Sequence, residues 1–185
     1  MTDVPARAKS PPGATPSPSQ RVLVYAVSIT LLTQVLASAA LVAQSVIVPV
    51  AAPDLGVRAQ SIGVFVSLVY LVAVLAGLVA PAFVRRFGPL RVCQITILLL
   101  SAGLAVGATG QIAALPLMVL LIGIPYGVVN PTSSHILSAH APPALMSLAF
   151  SIKQCGVPIG AAVAGILLPT MLLTMHWQLT LLVLA

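Results

Sequence analysis

Of 185 residues, 59% are hydrophobic and only 5% are charged, against roughly 25% charged in an ordinary soluble domain. So few polar side chains cannot cover a soluble fold. The apolar residues also run in long blocks, which predicts membrane-spanning helices; the segments of about ten alternating residues expected of a membrane β-barrel are not seen. The net charge is +6, with Asp3 and Asp54 as the only acids. The basic residues sit in a tail and short loops with no aromatic interleaving, so nucleic acid is excluded as a partner.

In chain order, residues 1–20 are rich in Pro, Ser and Ala and predict a disordered cytoplasmic tail. Residues 21–185 predict one transmembrane helical bundle, with helices over about 22–50, 61–84, 92–109, 112–138 and 145–174. Pro53-Asp54-Leu55-Gly56, Gly110-Gln111 and His140-Ala141-Pro142-Pro143 mark the turns. Each of these helices is long enough to cross a hydrocarbon core of about 30 Å. A sixth begins near Trp177 and has about nine residues to 185, roughly 13 Å of helix. A chain end inside the bilayer is costly, so the sequence reads as an N-terminal piece of a longer protein.

Arg7, Lys9 and Arg21 precede the first span, and Arg85, Arg86 and Arg91 lie between the second and third. The intervening loop balances Arg58 with Asp54, and the loop between spans three and four has no charge. The positive-inside rule then places the N-terminus in the cytoplasm of a plasma (inner) membrane protein. A signal peptide cleaved near Ala37-Ser38-Ala39 is the competing reading. The apolar run continuing past Ala39 and the long polar tail before Arg21 favour a retained span.

Three spans carry polar faces. In span one, Thr30, Thr33, Gln34, Ser38, Gln44 and Ser45 fall within an arc of roughly 140° at 100° per residue. Such a stripe predicts either hydrogen bonding between helices or the wall of a solute path, and both readings stand. In span four, Gly123, Tyr126, Asn130 and Ser134 stack at helical spacing beside Pro125 and Pro131, which remove backbone hydrogen bonds. Span five holds Lys153, the one charge well inside an apolar segment, with Gln154 beside it. An ionisable residue there marks a functional site unless its stem snorkels to the interface. Gly156, Gly160 and Ala164 form a small-residue ridge suited to close helix contact, as do Gly103 and Gly107.

No enzyme is predicted. No span contains a carboxylate, so paired acid–base chemistry has no basis. His135, His140 and His176 have no neighbouring acid or cysteine in metal-ligand spacing, and Cys93 and Cys155 read as free structural thiols. Neither a metal nor an organic cofactor is expected.

The stretch Arg85-Arg86-Phe87-Gly88-Pro89-Leu90-Arg91 resembles the signature loop Gly-x-x-x-Asp-Arg-x-Gly-Arg-Arg of the Major Facilitator Superfamily. Arg86 and Gly88 fit it and Arg91 stands in for the terminal basic pair, whereas Pro81 occupies the first glycine position and Arg85 the aspartate. Gly127-Val128-Val129-Asn130-Pro131 is similar to the family's fourth helix, although Gly123 sits where many proton-coupled exporters have an arginine. Lys153-Gln154-Cys155-Gly156-Val157-Pro158-Ile159-Gly160 resembles the glycine-proline motif of antiporters more loosely.

The resemblance implies an all-α polytopic membrane protein: the N-terminal six-helix bundle of a Major Facilitator Superfamily-like fold, its sixth helix incomplete. The missing C-terminal half would complete the cavity. The implied function is secondary active transport of a small anionic or neutral polar solute by alternating access, with or without a coupling ion. Gln34, Ser38, Tyr126, Asn130, Lys153 and Gln154 are the candidate substrate contacts. Arg86, Gly88 and Arg91 are the candidate residues of the conformational loop. A non-transporting scaffold or assembly subunit in the lipid bilayer is the alternative, and a half-size carrier working as a homodimer is a third reading.

Overall fold

A computed structural model describes residues 18–58 and 61–185. Most of the expected tail, residues 1–17, lies outside the described residues. The described chain forms helices α1 (Pro18–Ala51), α2 (Ser61–Phe87), α3 (Pro89–Gly107), α4 (Leu115–His140), α5 (Met146–Gln154), α6 (Gly156–Leu172) and α7 (Trp177–Leu184). Short 3-10 turns at Ile112–Ala114 and Pro143–Leu145 lead into α4 and α5. No strand occurs among the described residues. Five segments, Gln20–Ala51, Gly63–Phe87, Pro89–Gly107, Ile112–His140 and Pro143–Leu172, are long and apolar enough to cross a membrane.

The structure revises one local expectation. The basic stretch between spans two and three is helical except at Gly88: α2 runs through Arg85 and Arg86, and α3 starts at Pro89. Gly88 reverses the chain with φ 79° and ψ 149°, near a region that only glycine occupies cheaply. Its amide closes α2 by donating to the Val84 carbonyl at 3.0 Å. Pro89 opens α3, where its missing N–H costs nothing.

Span five crosses as one segment, Pro143–Leu172, with a one-residue irregularity between α5 and α6 at Cys155, which itself keeps αR dihedrals. Pro158 has no N–H to offer the Gln154 carbonyl, and its ring crowds that position. In α4 the helix continues through Pro125 and Pro131, within the single span expected over 112–138.

Glycines set the closest helix contacts. A Cβ on Gly127 would collide with the backbone of Ala73 in α2, and one on Gly123 would lie 2.8 Å from the Val69 carbonyl. Gly123 therefore packs on α2 instead of extending a polar face. Gly156 and Gly160 bring α6 against Leu31, Gln34, Val35 and Ser38 of α1, and Gly103 brings α3 against Ile122 of α4. Small residues permit such approach where lipid supplies no hydrophobic drive between helices. The bundle interior is filled by Ile47, Val69, Ile122, Val129, Leu137 and Leu168. Leu71, Val74, Leu75 and Leu78 leave a broad apolar face of α2 uncovered, a surface suited to lipid or to further helices and not to water.

At one end of the bundle lie Arg21, Arg85, Arg86 and Arg91, the termini of α1, α2 and α3. At the other, the indole Nε1 of Trp177 donates to Asp54 Oδ2 at 2.7 Å, with His176 Nε2 at 3.7 Å from the same oxygen. This contact joins the loop after α1 to the start of α7.

Candidate functional site

Lys153 stands in the last turn of α5, about 10 Å along the helix from Met146. The side chain does not snorkel outward. It is 3% exposed, and its Nζ donates to Asn130 Oδ1 at 3.0 Å and to Ser134 Oγ at 3.5 Å. Asn130 and Ser134 are one helical turn apart on α4, so one face of that helix supplies both acceptors. The amide assignment at Asn130 is chemically fixed, because its NH2 group cannot accept from an ammonium. Asn130 lies on the accessible surface of the bundle and Ser134 is half-buried. Asp54, the one described acidic side chain, is engaged at the far end with Trp177. The lysine is thus held by neutral groups alone.

The polar stripe of α1 divides into three kinds of contact. Thr30 and Thr33 donate to carbonyls of their own helix, Ala26 and Ile29, each at 2.8 Å. Ser38 donates across to the Val157 carbonyl at 2.8 Å, fastening α1 to the start of α6. Gln34 is buried against Gly156, three residues after Lys153, and its Oε1 has no partner among the described residues. Both amide ends of buried Gln44 are likewise unpartnered there. Ser45 is exposed, off the buried stripe.

The remaining candidates separate from this cluster. Tyr126 is half-buried and meets Tyr70 of α2 edge-on, ring centroids 6.0 Å apart, an ordinary aromatic packing geometry. Gln154 is exposed, because one residue along a helix turns about 100° away from Lys153. Arg86 is exposed and its guanidinium sits 5.6 Å from the Phe87 ring centroid. Arg91 borders an apolar groove of about 360 Å³ that Tyr25, Gly88 and His140 also line.

The structure thus brings Lys153 and Asn130 into contact and sets Gln34 and Ser38 against the start of α6, whereas Tyr126 meets Tyr70 and Gln154 faces outward. Ser134 joins the lysine although it is not among the candidate contacts; its spacing of four from Asn130 was the available signal. No cluster of side chains able to hold a metal occurs among the described residues. Cys93 is buried and Cys155 exposed, both free.

A search of curated proteins gives no match to this chain. Residues 30–185 match the Major Facilitator Superfamily, whose members are membrane transporters and not enzymes. That match covers α2 to α7 and α1 from Thr30 onward, so the lysine cluster and the Gly88 reversal both lie within it. The bundle is therefore a multi-pass membrane protein of the transporter type, and the chain belongs to the Major Facilitator Superfamily.

Proposed function

We propose that the protein is a secondary active transporter that carries a small anionic or neutral polar solute by alternating access. Solute contacts come from the Lys153–Asn130–Ser134 cluster, with Gln34 behind it. The observation that carries this reading is the orientation of Lys153, buried between spans and bonded only to neutral groups. An intramembrane charge is expensive to keep, so its retention favours a role in a solute path over packing. Asn130 connects the cluster to the surface where a second set of helices would complete the cavity. The basic termini at one end favour a cytoplasmic N-terminus in the plasma (inner) membrane.

The test uses the full-length protein in sealed vesicles, with Cys93→Ser, Cys155→Ser and Asn130→Cys. Alternating access predicts that a membrane-impermeant thiol reagent modifies position 130 from either side. Modification from neither side, in protein that is correctly inserted, would favour a scaffold that only packs against partners.

A further inference from the structure

Helices α2 and α3 both pack on α4, α2 against Gly123 and Gly127 and α3 through Gly103. No described glycine brings α2 and α3 to each other, and a crevice of about 240 Å³ lies between them. Phe83 and Phe87 of α2 and Ile95 and Thr96 of α3 form its walls, and Ile124 and Pro125 of α4 form its floor. Along α3 it runs from Val92 to Leu99, about 10 Å of helix.

The mouth of the crevice is apolar. Phe83, Phe87, Ile95 and Ile124 are each more than 40% exposed, which suits hydrocarbon and not water. Thr96 is the one polar side chain in the lining, and it is buried. A polar solute would lose its hydrogen bonds there, whereas an acyl chain has none to lose.

One end of the crevice is cationic. Phe87 is the last residue of α2, and the Arg86 guanidinium sits 5.6 Å from the centroid of its ring, within cation–π range. Arg85 ends the same helix, and Arg91 stands in the first turn of α3. Asp54, the one described acidic side chain, is at the opposite end of the bundle, so no described carboxylate competes for these arginines.

An apolar slot leading to uncompensated cations complements a ligand with a hydrocarbon chain at one end and an anion at the other. We infer that the crevice binds an anionic phospholipid, one acyl chain between α2 and α3 and the headgroup phosphate at Arg86. Arg85 and Arg91 add to the attraction. A zwitterionic phospholipid carries the same phosphate beside a cation of its own, which the arginines repel. Arginines that only orient the protein would attract anionic lipid diffusely; the crevice fixes one molecule in one place. The inference is independent of the lysine cluster, which joins α4 to α5.

The test uses the full-length protein in phosphatidylcholine vesicles with a trace of phosphatidylglycerol that carries a photoreactive group in its acyl chain. Label is expected on the peptides that contain Phe83, Ile95 and Ile124. Unlabelled phosphatidylglycerol should displace it, and extra phosphatidylcholine or water-soluble glycerol phosphate should not. Arg86→Gln should weaken that displacement about 5-fold, the scale of one arginine near an anionic headgroup, and Arg86→Lys should keep most of it. Ile95→Trp fills the mouth and should abolish label in the crevice. Both side chains are exposed, and melting curves check that the variants fold.

Equal displacement by phosphatidylcholine, or label spread evenly to Leu71 and Leu78, would mean ordinary surrounding lipid and would overturn the inference. Displacement by glycerol phosphate would show a site for the anion alone and would overturn it too. Unchanged binding in Arg86→Gln would remove the arginine from the site. Absence of label in folded, inserted protein would mean that another part of the protein covers the crevice, and the lipid assignment would fail.

Discussion

The Nζ of Lys153 lies 3.0 Å from Oδ1 of Asn130, so the charge on α5 is docked onto α4 by a neutral amide. Two consequences separate function from stability at this pair. Lys153→Met removes a buried charge and fills a similar volume, and replacing buried ions by apolar groups is often neutral or stabilising. The variant is expected to insert and to melt within a few degrees of the parent in detergent while losing solute flux.

Asn130→Ala is expected to behave differently, because it leaves the ammonium with Ser134 at 3.5 Å as its one remaining partner in the cluster. Removing an acceptor from a charged donor costs about 1–3 kcal/mol. Thermal unfolding of Asn130→Ala should show that loss, and the double variant Asn130→Ala/Lys153→Met should recover it. Failure of the second change to rescue the first would mean that the pair is not coupled.

Glycine positions give a graded packing test. Gly127→Ala places a methyl against the backbone of Ala73, whereas Gly165 has open space where a Cβ would lie. Overpacking against a backbone costs about 1–3 kcal/mol, so Gly127→Ala should lower the unfolding temperature and Gly165→Ala should not. Equal effects at both sites would contradict the close α2–α4 approach.

Gly88→Ala forces a side chain into a conformation with φ 79°, a strain of about 1–3 kcal/mol. The loss should appear in thermal unfolding with little change for Gly63→Ala, whose added methyl meets nothing within 4 Å.

At the opposite end, Trp177→Phe keeps the buried ring and removes only the donor to Asp54. Because Asp54 is half exposed to solvent, the expected loss is modest, about 1 kcal/mol. Asp54→Asn retains an acceptor and should lose less. Melting curves of the two variants, measured together, check that order.

Much of the architecture was legible in the residues. The helices follow from long apolar blocks separated by Gly, Pro and a few charges, and Lys153 was conspicuous because no other charge sits so deep. Asn130 was legible as a candidate from its helical face. Their contact was not, because it depends on how α5 crosses α4. The same applies to Trp177 and Asp54, 123 residues apart in sequence. Local chemistry misled at the basic stretch, where arginines suggested a loop although a single glycine makes the reversal. At Gly123, spacing suggested a polar face although the missing Cβ serves helix contact. In α1, periodicity identified the buried stripe but could not tell threonines bonded to their own helix from Ser38, which reaches α6.

The most direct test of the central claim is solute flux through the full-length protein in sealed vesicles, comparing the parent with Lys153→Met at matched insertion. The transport account predicts saturable uptake of a small solute by the parent and a fall of about 10-fold or more in the variant, the scale of one lost charge-assisted hydrogen bond. Saturable uptake that is unchanged in Lys153→Met would contradict it, because the buried lysine would then serve packing alone.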